Sequence, residues 1–597
     1  MFAWKPRREK KYTSFLWVFC SFAAALLGGL VIGFCSLYLA SGKFGDEMFA
    51  SYFDNLYILG LNLAVPLFLS AFFFLLTNRA VWSYLLTAVS VLVPTLVHYY
   101  KMEFRGDCLI AEDISLITES KKMLESYDLF WDDRIELCVC AAAVGLILLV
   151  LFARGRFRRA WPRLCAATAL AFAGYFALWP LYLNNRIYDT KAANHALINE
   201  YSEAQQYISK GFVYPFLHSV KSALRPAPDG YDAAAAADAL AAYTDAEIPA
   251  DRAVNIVCVM LEAYADFSRF EELTFTSDVY EKYHMLEEMG YSGTLITDIF
   301  AGDTRISERE FLTGLPYARL DNFVAPSNSY VWYLRENGYY TEGAHPCYAW
   351  FYNREHINQN LGFENYYFTE NYFKARTGGD ITYDARFFPM LYDLYGNRDP
   401  SKPYFSFNIT YQGHGPYEAD NAYFTEPYIE NKGYPDADFT IVNNYLNSIA
   451  STTEYLYAYA MDMLASEEPL VLVFFGDHKP WLGNSGAVYE TLGINIDLAT
   501  EEGFFNYYST RYLILANDAA KKLCGSDFSG EGEPISVSFL MNKVFELCGY
   551  PGSAYMQLTS DIMRSYPVIH RTDPMTEEPA RLYNFVSYYF RRNFLYD

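Results

Sequence analysis

The sequence predicts five transmembrane helices followed by an α/β domain built on a mostly parallel central sheet. Three observations carry this. Over 597 residues, 52% are hydrophobic while the net charge is −24, a pairing that suits one membrane-embedded part and one acidic, water-facing part. Five long apolar stretches follow one another within the first 184 residues. Beyond about residue 250 the pattern changes to short apolar runs alternating with amphipathic ones.

The apolar stretches lie near 14–40, 54–77, 80–100, 134–153 and 164–184. Each is long enough to cross a bilayer, which takes about 20 helical residues. The basic residues set the orientation. Lys5, Arg7, Arg8, Lys10 and Lys11 precede the first stretch, Arg79 lies between the second and third, and Arg154, Arg156, Arg158, Arg159 and Arg163 lie between the fourth and fifth. The positive-inside rule puts these segments in the cytoplasm, so an odd number of spans leaves everything after residue 185 outside the cell. No small-residue cleavage site follows the first stretch, which therefore reads as an anchor. Residues 1–184 form the membrane domain, 185–249 a connector with the Pro/Ala linker "RPAPDGYDAAAAADALAAY", and 250–597 an extracellular domain.

The acidic outer part lacks the basic footprint that nucleic-acid binding needs. Ten cysteines show no CxxC pairing, which leaves out zinc-ribbon and redox motifs; Cys524 and Cys548 could form one disulfide.

Within the outer domain, "NIVCVML" (255–261), "GTLITDIF" (293–300), "YFSFNIT" (404–410), "LVLVFF" (470–475) and "RYLILA" (511–516) read as buried strands. An amphipathic stretch over 439–465 precedes "LVLVFF" as a crossover helix would. Open α/β sheets place their sites outside the carboxyl ends of strands. That rule selects Glu262 after the first strand, Thr304 after the second, His414 after the third, and Asp477 with His478 after the fourth. Two carboxylates and an imidazole suit Mn²⁺, Mg²⁺ or Zn²⁺. A hydroxyl beside such an ion loses its proton more readily, which makes Thr304 a candidate nucleophile.

At these residues the chain resembles the lipoteichoic acid synthase family, membrane phosphoglycerol transferases with a sulfatase-like domain of the alkaline phosphatase superfamily. "VMLEAYAD" resembles its first metal motif, "GDTRISEREFLTG" its nucleophile segment and "GDH" its last two ligands. "HPCYAWFYNR" is similar to its H-x6-aromatic-x-R pattern, and "GHGPY" carries the other phosphate-contacting histidine. The resemblance implies one divalent metal, Mn²⁺ before Mg²⁺ or Zn²⁺, held by Glu262, Thr304, Asp477 and His478. It implies substrate contacts from His345, Tyr352, Arg354 and His414, phosphatidylglycerol as donor, and a cell-envelope glycan or glycolipid as acceptor. It also brings the outer loop "FRGDCLIAEDISL" and the connector "GFVYPFLHSVKS" close to family segments. Arg305, Ile306 and Arg309 depart from the family pattern, and Tyr352 replaces a tryptophan. These departures bear on the acceptor more than on the reaction. A true sulfatase would need a C/S-x-P-x-R context at the nucleophile, which the segment lacks. Phosphoethanolamine transfer is closer in chemistry, but the segment around Thr304 and the H-x6-Y-x-R pattern fit the glycerol phosphate branch better, and the intact Glu262, Thr304, Asp477 and His478 set argues against a non-catalytic sensor on the same fold.

Overall fold

The computed structural model describes residues 15–105, 108–111, 113, 131–191, 203–224, 227–316, 323–483, 486–570 and 578–596. The N-terminal basic cluster, most of the outer loop and part of the connector lie outside them. The chain divides into two compact units, one of Met1–Pro226 with Trp350–Asn353, the other of Ala227–Ala349 with Arg354–Asp597.

Among the described residues, the first unit carries five helices long and apolar enough to cross a membrane: Phe15–Ser41, Leu56–Thr77, Ala80–Glu103, Asp133–Phe152 and Ala160–Tyr182. Their ends follow capping chemistry. The Asn55 side chain accepts from the N–H groups of Tyr57 and Ile58, and Asn78 closes the same helix in the left-handed region at φ 57°. Asp132 caps the fourth by accepting from the N–H of Ile135. Small and hydroxylated residues join the helices. A Cβ at Gly29 would lie 2.9 Å from the Pro66 carbonyl oxygen, Ser70 Oγ donates to the Ala25 carbonyl at 2.6 Å, and Ser36 and Thr95 hydroxyls meet at 2.8 Å.

The second unit is built on one eight-stranded sheet. Its strands are β1 (Asn255–Leu261), β2 (Tyr291–Ile296), β3 (Tyr340–Ala344), β4 (Asn365–Tyr367), β5 (Tyr404–Ile409), β6 (Leu470–Gly476), β7 (Ser509–Ala516) and β8 (Gly530–Ser536). They lie in the order β4-β3-β5-β1-β6-β7-β2-β8. Every pair is parallel except those of β7 with β6 and β2. β1 sits at the centre, with Met260 opposite Ile409 on one side and Leu261 opposite Gly476 on the other.

Alternate residues of the central strands enter two separate cores. Ile256, Cys258, Met260, Val471, Val473 and Phe475 pack on one face, and Val257, Val259, Leu261, Leu470, Leu472 and Phe474 on the other. The helix Asp436–Leu464 covers the second face through Val442, Leu446, Ile449 and Leu456. Burial on both faces is why these strands read as unbroken apolar runs.

Three strands escape the sequence pattern. β3 ("YTEGA") and β4 are short and polar, and β8 ("GEGEPIS") is an edge strand that is buried only at its last two residues. The run expected as a strand over 293–300 is strand only from Tyr291 to Ile296. Its last residues instead enter the loop that leads to Thr304. Cys524 and Cys548 are free thiols, with a side-chain hydrogen bond between them.

Candidate metal centre and nucleophile

Strand ends bring four side chains together. β1 delivers Glu262, β6 delivers Asp477 and His478, and the loop after β2 delivers Thr304 at the N-cap of the helix Arg305–Thr313. All four are buried: Glu262 is 6% exposed, Thr304 5%, Asp477 0% and His478 3%. Ligand atoms of Glu262, Asp477 and His478 lie within 4.8 Å of one another. The Thr304 hydroxyl lies 3.3 Å from Glu262 Oε2 and 3.4 Å from His478 Nε2.

The backbone fixes these positions by close approach. A Cβ at Gly476 would lie 2.0 Å from the Tyr264 carbonyl oxygen, and one at Gly413 would lie 2.0 Å from that of Glu262. Only glycine lets β6 and the loop after β5 crowd so near the turn that follows β1. Asp477 Oδ1 accepts from the N–H groups of Ala263 and His478, each at 2.8 Å, and Glu262 N–H donates to Thr410 Oγ1 at 2.9 Å. Left-handed backbone accompanies the ligands: Ala263 at φ 49°, then Ala301 at 57°, Gly302 at 129° and Asp303 at 60° directly before Thr304. Non-glycine residues there are strained, and such strain gathers at functional sites.

The donor set fits a divalent cation. His478 Nδ1 donates to the Lys479 carbonyl at 2.8 Å, which leaves Nε2 as a lone pair toward Glu262 and Asp477. Among the described residues, no hydrogen-bond donor reaches the buried Asp477 Oδ2, a costly state for a carboxylate oxygen unless a cation faces it. Burial, reinforced by the Asp477 charge, pushes Glu262 up to about 8. A bound cation would reverse that penalty. The Lys479 carbonyl also accepts from the Ala301 N–H at 3.1 Å, so one oxygen orients both the imidazole and the loop before Thr304.

The other sequence candidates divide. His345 follows β3 on the same sheet edge, is 2% exposed, and has Nδ1 3.3 Å from the Ile409 carbonyl. His414 stacks on Tyr411 with ring centroids 4.7 Å apart. Burial first, then the nearby Arg354 guanidinium, holds the His345 imidazole well below its usual range; burial also lowers His414. Both are therefore neutral hydrogen-bonding groups at pH 7. Arg354 Nε donates to Glu308 Oε2 at 2.8 Å, with both side chains 3% exposed. Tyr352 groups by its contacts with the first unit, where its backbone is left-handed at φ 55°.

Sequence reading assigned no role to Thr410, Ser307 or Glu308. Ser307 Oγ donates to the Asp477 carbonyl at 2.7 Å. The signal for Ser307 and Glu308 was their spacing, three and four residues after Thr304, which places them beside it on one helical face.

Residues 254–550 match the family model described as Sulfatase. A Rhizobium meliloti (strain 1021) protein named for cyclic beta-1,2-glucan modification is 24% identical over 514 residues, 82% of this chain and 76% of its own. Among solved structures, the Streptococcus pyogenes phosphoglycerol transferase GacH in complex with sn-glycerol-1-phosphate is 20% identical, with a TM-score of 0.49 over 61% of this chain and 93% of that one. The integral membrane lipooligosaccharide phosphoethanolamine transferase A (EptA) from Neisseria meningitidis is 13% identical, with a TM-score of 0.36 over 90% of this chain and 95% of that one. Behind the five apolar helices, residues 254–550 are thus similar to the Sulfatase family model.

Proposed function

We propose that this protein is a membrane phosphotransferase that moves glycerol phosphate from phosphatidylglycerol, through a covalent phospho-threonine, to a cell-envelope acceptor outside the cell. The observation that carries the reading is the Thr304 hydroxyl, buried at a helix N-terminus and within 3.4 Å of both Glu262 and His478. A divalent cation, Mn²⁺ by preference, would be held by Glu262, Asp477 and His478, with Thr304 beside it. It would supply charge to favour the threonine alkoxide and the donor phosphate.

The chain's own groups do the rest. Thr304 Oγ1 attacks phosphorus, forming the P–O bond to threonine as the bond to diacylglycerol oxygen breaks; the leaving oxygen takes up a proton. The positive end of the helix Arg305–Thr313 faces the phosphate oxygens. Arg354 offers them charge-assisted hydrogen bonds, and His345 and His414, neutral at pH 7, donate to oxygens or relay the acceptor's proton. An acceptor hydroxyl then attacks the phospho-threonine, and Thr304 leaves with its proton restored. The relative named for glucan modification supports a glycan as acceptor. The five apolar helices keep the domain beside its lipid donor.

The test incubates full-length protein with fluorescent phosphatidylglycerol and Mn²⁺, beside Thr304→Ala. Wild type should release diacylglycerol and acquire one glycerophosphate on the Thr304 peptide. Absence of release with every divalent metal tried would end the proposal. Equal release by the variant would remove Thr304 from its role. A phosphoethanolamine adduct with phosphatidylethanolamine as donor would move the chemistry to that branch.

A further inference from the structure

We propose that Glu308 is a positioning residue for phosphate recognition: it holds Arg354 by Nε so that the guanidinium faces a phosphate on Thr304. The inference rests on the reading of Arg354 as a phosphate contact. It starts from where Glu308 sits. Its N–H donates to the Thr304 carbonyl at 3.1 Å, so it stands one helical turn beyond the nucleophile. Its carboxylate meets Arg354 Nε at 2.8 Å, and both side chains are 3% exposed.

A buried ion pair like this is a poor device for stability alone, because desolvating two charges cancels most of their attraction. It is a good device for aim. The guanidinium is a rigid plane of donors, so a partner at Nε fixes the plane in which the rest of the group lies. The Arg354 charge acts on Glu262, His345 and His414. Glu308 and Ser307 make the first turn of the helix a joint. Thr304 carries the nucleophile, Ser307 Oγ holds the Asp477 carbonyl at 2.7 Å, and Glu308 holds Arg354. The metal ligand, the nucleophile and the phosphate-binding cation are thereby registered to one another through a single helical turn.

The experiment uses the full chain in detergent, loaded with Mn²⁺, and titrates inorganic phosphate calorimetrically. The variants are Glu308→Asp, Glu308→Gln, Arg354→Gln and the double Glu308→Asp/Arg354→Gln. Glu308→Asp keeps the charge and retracts the carboxylate by one methylene, so it remains measurable where Glu308→Gln, which strands a buried guanidinium, fails to fold. Glu308→Asp and Arg354→Gln should each weaken phosphate binding roughly 10-fold, as loss of a supporting partner does. The double variant should fall no further, and Mn²⁺ affinity should not fall in any of the variants. Wild-type phosphate affinity in Glu308→Asp, or in Arg354→Gln, would overturn the inference. So would a parallel loss of phosphate and Mn²⁺ affinity, the mark of a merely structural role. The binding measurement needs no turnover. If it behaves as expected while wild type releases no diacylglycerol, the donor reading fails and the role of Glu308 stands.

Discussion

Gly476→Ala is the sharpest test of how the site is built. The added Cβ would lie 2.0 Å from the Tyr264 carbonyl oxygen, 3.1 Å from its carbon and 3.2 Å from Thr510 Cβ. The oxygen contact is about 1 Å short of the closest approach that real Cβ atoms show. No flexible side-chain end is available to yield, because the obstacle is backbone in the turn after β1. Either β6 or that turn must move by about 1 Å, and they carry Asp477 and Glu262 respectively. Overpacking of this kind costs about 1–3 kcal/mol of stability. A displacement of about 1 Å at reacting groups costs roughly 100-fold in rate. The assay pairs denaturant unfolding of the full chain with diacylglycerol release and Mn²⁺ titration. Turnover should fall about 100-fold with Mn²⁺ affinity, while most of the stability remains. Wild-type turnover in Gly476→Ala would refute the claim that close backbone approach sets the ligand geometry. A fully unfolded variant would refute the narrower claim that the damage is local.

Metal and pH are linked through Glu262. Its folded pKa, raised to about 8 by burial and by Asp477, lies above its ordinary value of 4.5. The folded metal-free state therefore holds the extra proton between those values, and stability should fall as pH rises through that window. Tm measured with chelator should drop from about pH 5 to about pH 8, Mn²⁺ should remove most of the drop at the upper end, and Glu262→Gln should flatten it; a flat wild-type profile counts against the assignment. Asp384 is buried with Thr452 Oγ1 as donor at 2.7 Å, and burial raises it to about 7. Asp384→Asn should therefore stabilise the protein increasingly as pH rises from about 4 to about 7, by a few kcal/mol at the upper end and little at about pH 4, read by urea unfolding. Thr304→Ser should retain partial transfer, because it keeps the hydroxyl at the helix N-cap; complete loss with Mn²⁺ binding intact would show that the threonine methyl is needed as well.

The candidate ligands were legible because each follows a central strand. β1 and β6 are apolar on both faces, a composition that reports burial directly, and β5 is buried throughout. The rule about carboxyl ends then picked out Glu262, Asp477 and His478 without contact information. β3 and β8 hid because they are short or lie at an edge, where composition follows solvent and not the ladder. The supporting contacts hid for another reason. Glu308 reaches Arg354 across 46 positions and Thr410 reaches Glu262 across 148, and no local pattern encodes such pairs. Tyr352 illustrates the limit of motif spacing. Its neighbour Arg354 belongs to the second unit, whereas Tyr352 itself groups with the first.

The left-handed run Ala301–Gly302–Asp303 sets a conflict between durability and work. Alanine and aspartate in that region each cost on the order of 1–3 kcal/mol, and glycine would relieve the cost at φ 57° and 60°. Selection for heat resistance alone should therefore favour glycine or asparagine at 301 and 303. The same replacements would let the loop visit other conformations and blur the placement of the Thr304 hydroxyl. A lineage that keeps alanine and aspartate there is accepting a less durable fold in return for an aimed threonine.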